Sequence, residues 1–138
     1  ADYVYARIEA RRAGAEDALF LTTSGHLSEA TTANIFLVRD APDGVTELAT
    51  PSLECAILPG TTRGWILDWA RRVGLMPLEG WLTSRDLAEA DEAFLSSSVA
   101  GILPVTRFDG RPIGDGAPGN WARRARADRE DFVASRDA

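Results

Sequence analysis

The chain has 138 residues, 45% of them hydrophobic, and a formal net charge of −6, which is enough for one globular domain with a sizeable core. The acidic balance argues against nucleic acid as a partner, because binding there is driven by positive charge facing phosphates. No run of about 18 apolar residues is present to span a membrane, and no signal-peptide succession opens the chain, so a cytoplasmic protein is expected.

Residues 3–13 place Val4, Tyr5, Ile8 and Arg12 along one helical stripe with Gly14 as a stop, which predicts an opening helix. Residues 18–23 read as a strand, Ser24-Gly25 as a tight turn and 26–30 as the return strand. A second β run covers 34–39, a loop 41–44, and a short strand 46–50 that Pro51 ends. After Pro59-Gly60, residues 62–73 put Trp65, Ile66, Trp69, Ala70 and Val73 on one helical face, and Gly74 stops the helix. Thr83 and Asp86 form a capping-box pair ahead of a short helix at 84–90. Strands at 92–98 and 102–108 follow, then the hairpin pair Asp109-Gly110 and a last helix from about 120 to 134 that carries Trp121, Ala125 and Phe132 inward.

Strands and helices alternate without strict βαβ order, so a Rossmann sheet fits poorly. The expected class is α+β (mixed α/β), a barrel-like mixed sheet flanked by helices. The single cysteine, Cys55, borders the apolar run 56–58 and reads as a core residue, and with His26 as the only histidine a metal site is poorly supplied. Arg123, Arg124, Arg126 and Arg129 are interleaved with Asp128, Glu130 and Asp131, which reads as a solvated, salt-bridged helix face.

Two turns carry chemical content. Leu58-Pro59-Gly60-Thr61-Thr62-Arg63 delivers the backbone to the start of the strongest helix, where free amides and two hydroxyls suit an anion such as a phosphate. On local grounds alone it reads equally as a threonine N-cap after a turn glycine. Ser96-Ser97-Ser98-Val99-Ala100-Gly101 closes a buried strand with small residues that would present amides and hydroxyls to an oxyanion, or would form a plain loop. Glu29 stands in an apolar and hydroxylic stretch. Strand alternation puts it on the face of Leu27, as a partnered carboxylate with Asn34 as a candidate partner or as a solvent-facing one.

Taken in order, Gly25-His26-Leu27-Ser28-Glu29 with Asn34-Ile35-Phe36, Thr50-Pro51, Ile57-Leu58-Pro59-Gly60-Thr61-Thr62-Arg63, Ala90-Asp91-Glu92-Ala93-Phe94-Leu95-Ser96-Ser97-Ser98, Ile102-Leu103-Pro104-Val105 and Asp109-Gly110-Arg111-Pro112-Ile113-Gly114 resemble class IV (fold type IV) pyridoxal-phosphate enzymes. Each stretch alone is weak; their order and spacing are specific. The resemblance implies that residues 1–138 are a single C-terminal, cofactor-binding domain of an aminotransferase that moves an amino group between an amino acid and a 2-oxo acid. By the same resemblance Glu29 pairs with the pyridine nitrogen of pyridoxal 5'-phosphate, and Leu58 packs on the ring. Gly60, Thr61 and Thr62 bind the phosphate together with Ser97 and Ser98, while the amides of Ser98 and Val99 hold a substrate carboxylate.

All fifteen basic residues are arginine, so the chain contains no lysine. The resemblance places the Schiff-base lysine a few residues upstream of Ala1 and implies a missing N-terminal domain, a homodimer, and a fragment that is inactive by itself. A 4-amino-4-deoxychorismate lyase of the same family is the alternative reading. A non-catalytic binding or assembly domain is the alternative from another class, and the absence of lysine favours it.

Overall fold

The computed structural model describes residues 3–10, 16–22, 27–30, 34–52, 61–97 and 101–137; for 3–10, 16–22, 27–30 and positions 61, 97 and 137 it describes the backbone alone. The elements are β1 (Tyr3–Ala10), β2 (Glu16–Thr22), β3 (Leu27–Ala30), β4 (Asn34–Asp40), β5 (Thr46–Pro51), α1 (Thr61–Arg72), β6 (Met76–Gly80), α2 (Ser84–Ala88), β7 (Glu92–Ser97), β8 (Gly101–Phe108), β9 (Arg111–Pro112) and α3 (Asn120–Asp137). The described strands form one sheet in the order β3-β2-β1-β8-β7-β4-β5-β6, with β9 attached to β8. Among them only β5 and β6 run parallel, joined across α1. The sheet curls until the backbone of β3 comes within 8 Å of that of β5, which gives the expected barrel-like, mixed architecture.

The opening segment is a strand and not the expected helix. The stripe at Val4, Tyr5, Ile8 and Arg12 is compatible with a helix, but 3–10 is also rich in aromatic and β-branched residues. Pairing with β2 from Tyr3↔Thr22 to Glu9↔Glu16, and with β8 on the other side, satisfies its backbone. Strand β6 is a further departure from the sequence-based expectation, because Pro77 interrupts a short, mostly exposed run. Proline is tolerated there since β6 is an edge strand with β5 as its sole strand neighbour in the order.

The central strands β4 and β7 are covered on both faces, and so read as unbroken apolar runs rather than as alternating ones. On one face Ile35, Leu37, Ala49, Ala93, Leu95 and Val105 pack with Leu87 of α2 and with Leu82, Phe108 and Ile113. On the other, Phe36, Val38, Leu48, Phe94 and Ile102 pack beneath Ile66, Trp69 and Ala70 of α1 and Ala122 and Ala125 of α3. Phe36 and Phe94 are register partners whose rings stack at 5.2 Å.

The α1 face runs as expected, with Ile66, Trp69 and Ala70 buried and Trp65 and Val73 half-buried, and it ends at Gly74, whose φ of +90° suits glycine. The capping box on α2 is also present: Thr83 Oγ1 accepts from the Asp86 amide while the Asp86 carboxylate accepts from the Thr83 amide at 2.7 Å. Asp109 and Gly110 both take positive φ, 49° and 79°, as the expected hairpin turn requires.

Along α3 the expected inward set needs one correction. Ala125 is buried and Trp121 half-buried, but Phe132 is 37% exposed and lies on the Trp65 ring, 5.8 Å between centroids, outside the core. At that turn the last aromatic of the helix meets Trp65 of α1 instead of the sheet. No helix among the described residues is long and apolar enough to cross a membrane.

Candidate functional site

Antiparallel pairing brings several chain-distant segments to one end of the sheet. The start of β4 at Asn34 pairs with Ser96 near the end of β7, and Ser97 pairs with Gly101 at the start of β8. The end of β5 at Pro51 lies beside the end of β6 at Gly80. Only residues 31–33 separate β3, which carries Glu29, from Asn34. Because β5 leads through 52–60 into α1, Thr61 and Thr62 open the helix that packs over the same strands.

Two buried oxygens at this end lack partners among the described residues: Asn34 Oδ1 and Ser96 Oγ. Ser96 is 1% exposed. By strand alternation they share the face of Phe36 and Phe94, the one that α1 covers. A buried hydroxyl without a partner is destabilising, so its retention points to a polar group that completes it.

Thr62 is buried, and its Oγ1 is approached by Nη2 of Arg129 from α3 at 3.5 Å. Arg63, one residue on, is 5% exposed and fastens the first turn of α1 to the ends of two strands. Its Nη2 donates to the Pro51 carbonyl at 3.1 Å and to Glu79 Oε1 of β6 at 2.5 Å, while its Nε has no partner among the described residues. The first turn of α1 contains no acidic residue. The helix amides, the Thr62 hydroxyl and the Arg129 guanidinium therefore stand together at the helix start, a donor set suited to a phosphate.

Neither Arg63 nor Arg129 has a role in the sequence-based expectation. The salt-bridged face expected on α3 exists in part: Arg126 pairs with Glu130 at 3.1 Å and Arg124 with Asp128 at 3.9 Å. Arg129, however, turns toward α1, its guanidinium carbon 5.3 Å from the Trp65 ring centre and 5.4 Å from that of Phe132. Phe132 three residues after Arg129 is the one signal in the sequence that this arginine has an aromatic neighbour on its own helix.

Of the residues singled out from sequence, Thr62 has its side chain described and stands at the site, and so does Asn34. Glu29, Thr61 and Ser97 are described by backbone only. Across Ser28 and Glu29 the β2–β3 register slips, from Leu21↔Leu27 to Leu19↔Ala30, so the simple alternation that put Glu29 on the face of Leu27 does not carry through. Leu58, Gly60, Ser98 and Val99 lie outside the described residues, as do His26, Cys55 and the Ser24-Gly25 turn.

The sequence and the fold of this chain are similar to those of known proteins. Residues 1–108 match the family model described as amino-transferase class IV. The branched-chain-amino-acid aminotransferase of Escherichia coli K12 is 38% identical over 116 residues, covering 84% of this chain and 36% of that protein. A T.th. branched-chain amino acid aminotransferase, solved in complex with N-(5'-phosphopyridoxyl)-L-glutamate, superposes with a TM-score of 0.80 at 32% identity, over 90% of this chain and 39% of that one. The enzyme of Thermobaculum terrenum in its PLP-form gives 0.79 at 34% identity, over 87% and 38%. The chain thus spans well under half the length of these relatives. Sequence and fold agree, and the chain belongs to the class IV aminotransferase family.

Proposed function

We propose that this chain is the cofactor-binding part of a longer pyridoxal-phosphate-dependent aminotransferase, which moves an amino group between an amino acid and a 2-oxo acid. The observation that carries this reading is that Thr62, in the acid-free first turn of α1, and the unpartnered Ser96 Oγ lie at the same end of the sheet, in a chain of this family. A relative solved with a phosphopyridoxyl compound supports the choice of cofactor.

When bound, pyridoxal phosphate supplies an electron sink for the pair of electrons left when a substrate proton departs. The residues of this chain hold and tune it. Gly60, Thr61 and Thr62 grip the phosphate at the helix start, where amides and hydroxyls donate, and Ser97 and Ser98 close the cradle from the strand end. Leu58 packs on the ring and keeps water from its face. The Glu29 carboxylate would accept a hydrogen bond from the protonated pyridine nitrogen and so keep that nitrogen charged. The amides of Ser98 and Val99 hold the substrate carboxylate, which orients the bond to be broken. The amine that would move the substrate proton is assigned to a lysine outside this lysine-free chain, as the family resemblance implies. Met76, Leu78 and Trp81, exposed on and just after the edge strand β6, support a larger assembly, a homodimer or a further domain, that covers them.

The test is made on the full-length protein: incubation with pyridoxal phosphate, borohydride reduction and mass spectrometry of the modified peptide. Label on a lysine shortly before Ala1 is the expected result. A protein that takes no label there is a non-catalytic module, and the enzyme reading falls.

A further inference from the structure

Arg129 departs from the pattern of its own helix. It lies beyond the 1–108 family match, among arginines that pair along α3. Its guanidinium meets two aromatic rings and one hydroxyl, and pairs with no carboxylate among the described residues. Trp65 and Phe132 both lie within cation–π range of the guanidinium, at 5.3 and 5.4 Å.

The cation is aimed at the wrong end of a helix for its own stability. The first turn of α1 already carries partial positive charge from its free amides, and no acidic side chain in that turn offsets it. Arg63 in the same turn is buried with one donor, Nε, unused, and Glu79 is the carboxylate that answers its other end. Arg63 is thus answered by Glu79, whereas the half-buried Arg129 cation beside the helix amides has no such carboxylate among the described residues, and an anion would complete it.

We propose that Arg129 is a positioning residue for the cofactor phosphate, acting through Thr62. By donating toward Thr62 Oγ1 it occupies a lone pair of that oxygen, so the hydroxyl's own proton turns outward to the phosphate. At 3.5 Å the contact acts mainly as a charge on a dipole, which also polarises the hydroxyl as a donor. The C-terminal helix thereby becomes part of the cofactor site. This rests on the reading of Thr62 as a phosphate contact.

The experiment titrates the cofactor-free, full-length protein with pyridoxal 5'-phosphate and with pyridoxal, which lacks the phosphate. Arg129→Met is expected to weaken binding of pyridoxal phosphate roughly tenfold, leaving pyridoxal affinity and the Tm of the cofactor-free protein unchanged. In a Thr62→Val background the same change should have no further effect. Arg129→Gln serves equally if the methionine variant fails to fold. Unchanged pyridoxal phosphate affinity in Arg129→Met, beside a loss in Thr62→Val, overturns the role of Arg129 and leaves the phosphate site standing. Equal losses for both ligands, or a loss that adds in full to that of Thr62→Val, overturn it as well. If neither Thr62→Val nor Arg129→Met weakens pyridoxal phosphate, the phosphate site itself is wrong.

Discussion

Asn34 on β4 and Ser96 on β7 are register partners, and each keeps a buried side-chain oxygen with no hydrogen-bond partner among the described residues. An unpaired buried hydroxyl costs about 1–3 kcal/mol, so Ser96→Ala should leave folding stability unchanged or raise it by about 1 kcal/mol. In the full-length protein the same change should weaken cofactor retention. Chemical denaturation checks the first half and cofactor titration the second; a clear loss of stability would mean that the hydroxyl is already satisfied in the fold.

The position of α3 depends on two carboxylates. Glu92 at the start of β7 accepts from the amides of Trp121 and Ala122, both at 3.1 Å, and so caps the helix start from a neighbouring element. A Cβ at Gly119 would overlap that carboxylate, which explains the glycine there. Farther along, Asp128 Oδ2 accepts from Trp69 Nε1 at 2.8 Å and ties α3 to α1. Asp128→Leu should destabilise the fold by about 1–3 kcal/mol, because Trp69 is 1% exposed and its N–H would be left unpaired. Glu92→Ala should cost about 1 kcal/mol as a lost cap. Denaturation midpoints measure both, and a neutral Asp128→Leu would show that the Trp69 contact contributes nothing to docking.

The α2 cap makes part of the stability depend on pH. Burial raises the Asp86 carboxyl, but the two Thr83 hydrogen bonds and the Arg39 guanidinium at 3.1 Å together outweigh it and hold the group below the ordinary carboxylate range. A carboxyl lowered in the folded state contributes stability that is complete above the unfolded value, about 3.9, and is lost as pH falls through the folded value. Asp86→Asn should therefore cost about 1 kcal/mol at pH 7, and the gap to the parent should close as the pH falls through the lowered folded value. A gap that stays constant across that range would assign the effect to packing instead.

For the proposed chemistry, Glu29→Gln in the full-length enzyme should retain pyridoxal phosphate and lose most turnover, because the ring nitrogen would no longer be held protonated. Thr62→Val should do the reverse, with roughly tenfold weaker cofactor affinity. Steady-state rates and cofactor titration on both variants separate electronic tuning from grip. Near-normal turnover in Glu29→Gln would remove the role assigned to that carboxylate.

Local signals in the chain were enough for much of this fold. The stripe of Trp65, Ile66, Trp69, Ala70 and Val73, the Thr83/Asp86 box and the Asp109-Gly110 turn each specify a backbone conformation within a few residues, and each appears in the structure. The apolar runs 35–38 and 93–95 likewise announced strands, and the fold buries them on both faces. The order of the family stretches pointed to the fold type and the family itself.

What the sequence by itself determined was thus the set of elements whose signals are local, together with Thr62 as a candidate anion contact. Only the tertiary structure decided the rest. The segment 3–10 became a strand because β2 and β8 flank it with open backbone groups, a circumstance no window of the chain contains. The edge strand β6 formed in spite of Pro77 because it pairs on one side alone. Arg129 and Thr62, 67 residues apart, meet because α1 and α3 pack side by side on one face of the sheet. A charge pattern along a helix cannot reveal that encounter, since the energy that turns Arg129 away from its acidic neighbours comes from the rings and the hydroxyl of other turns and another helix.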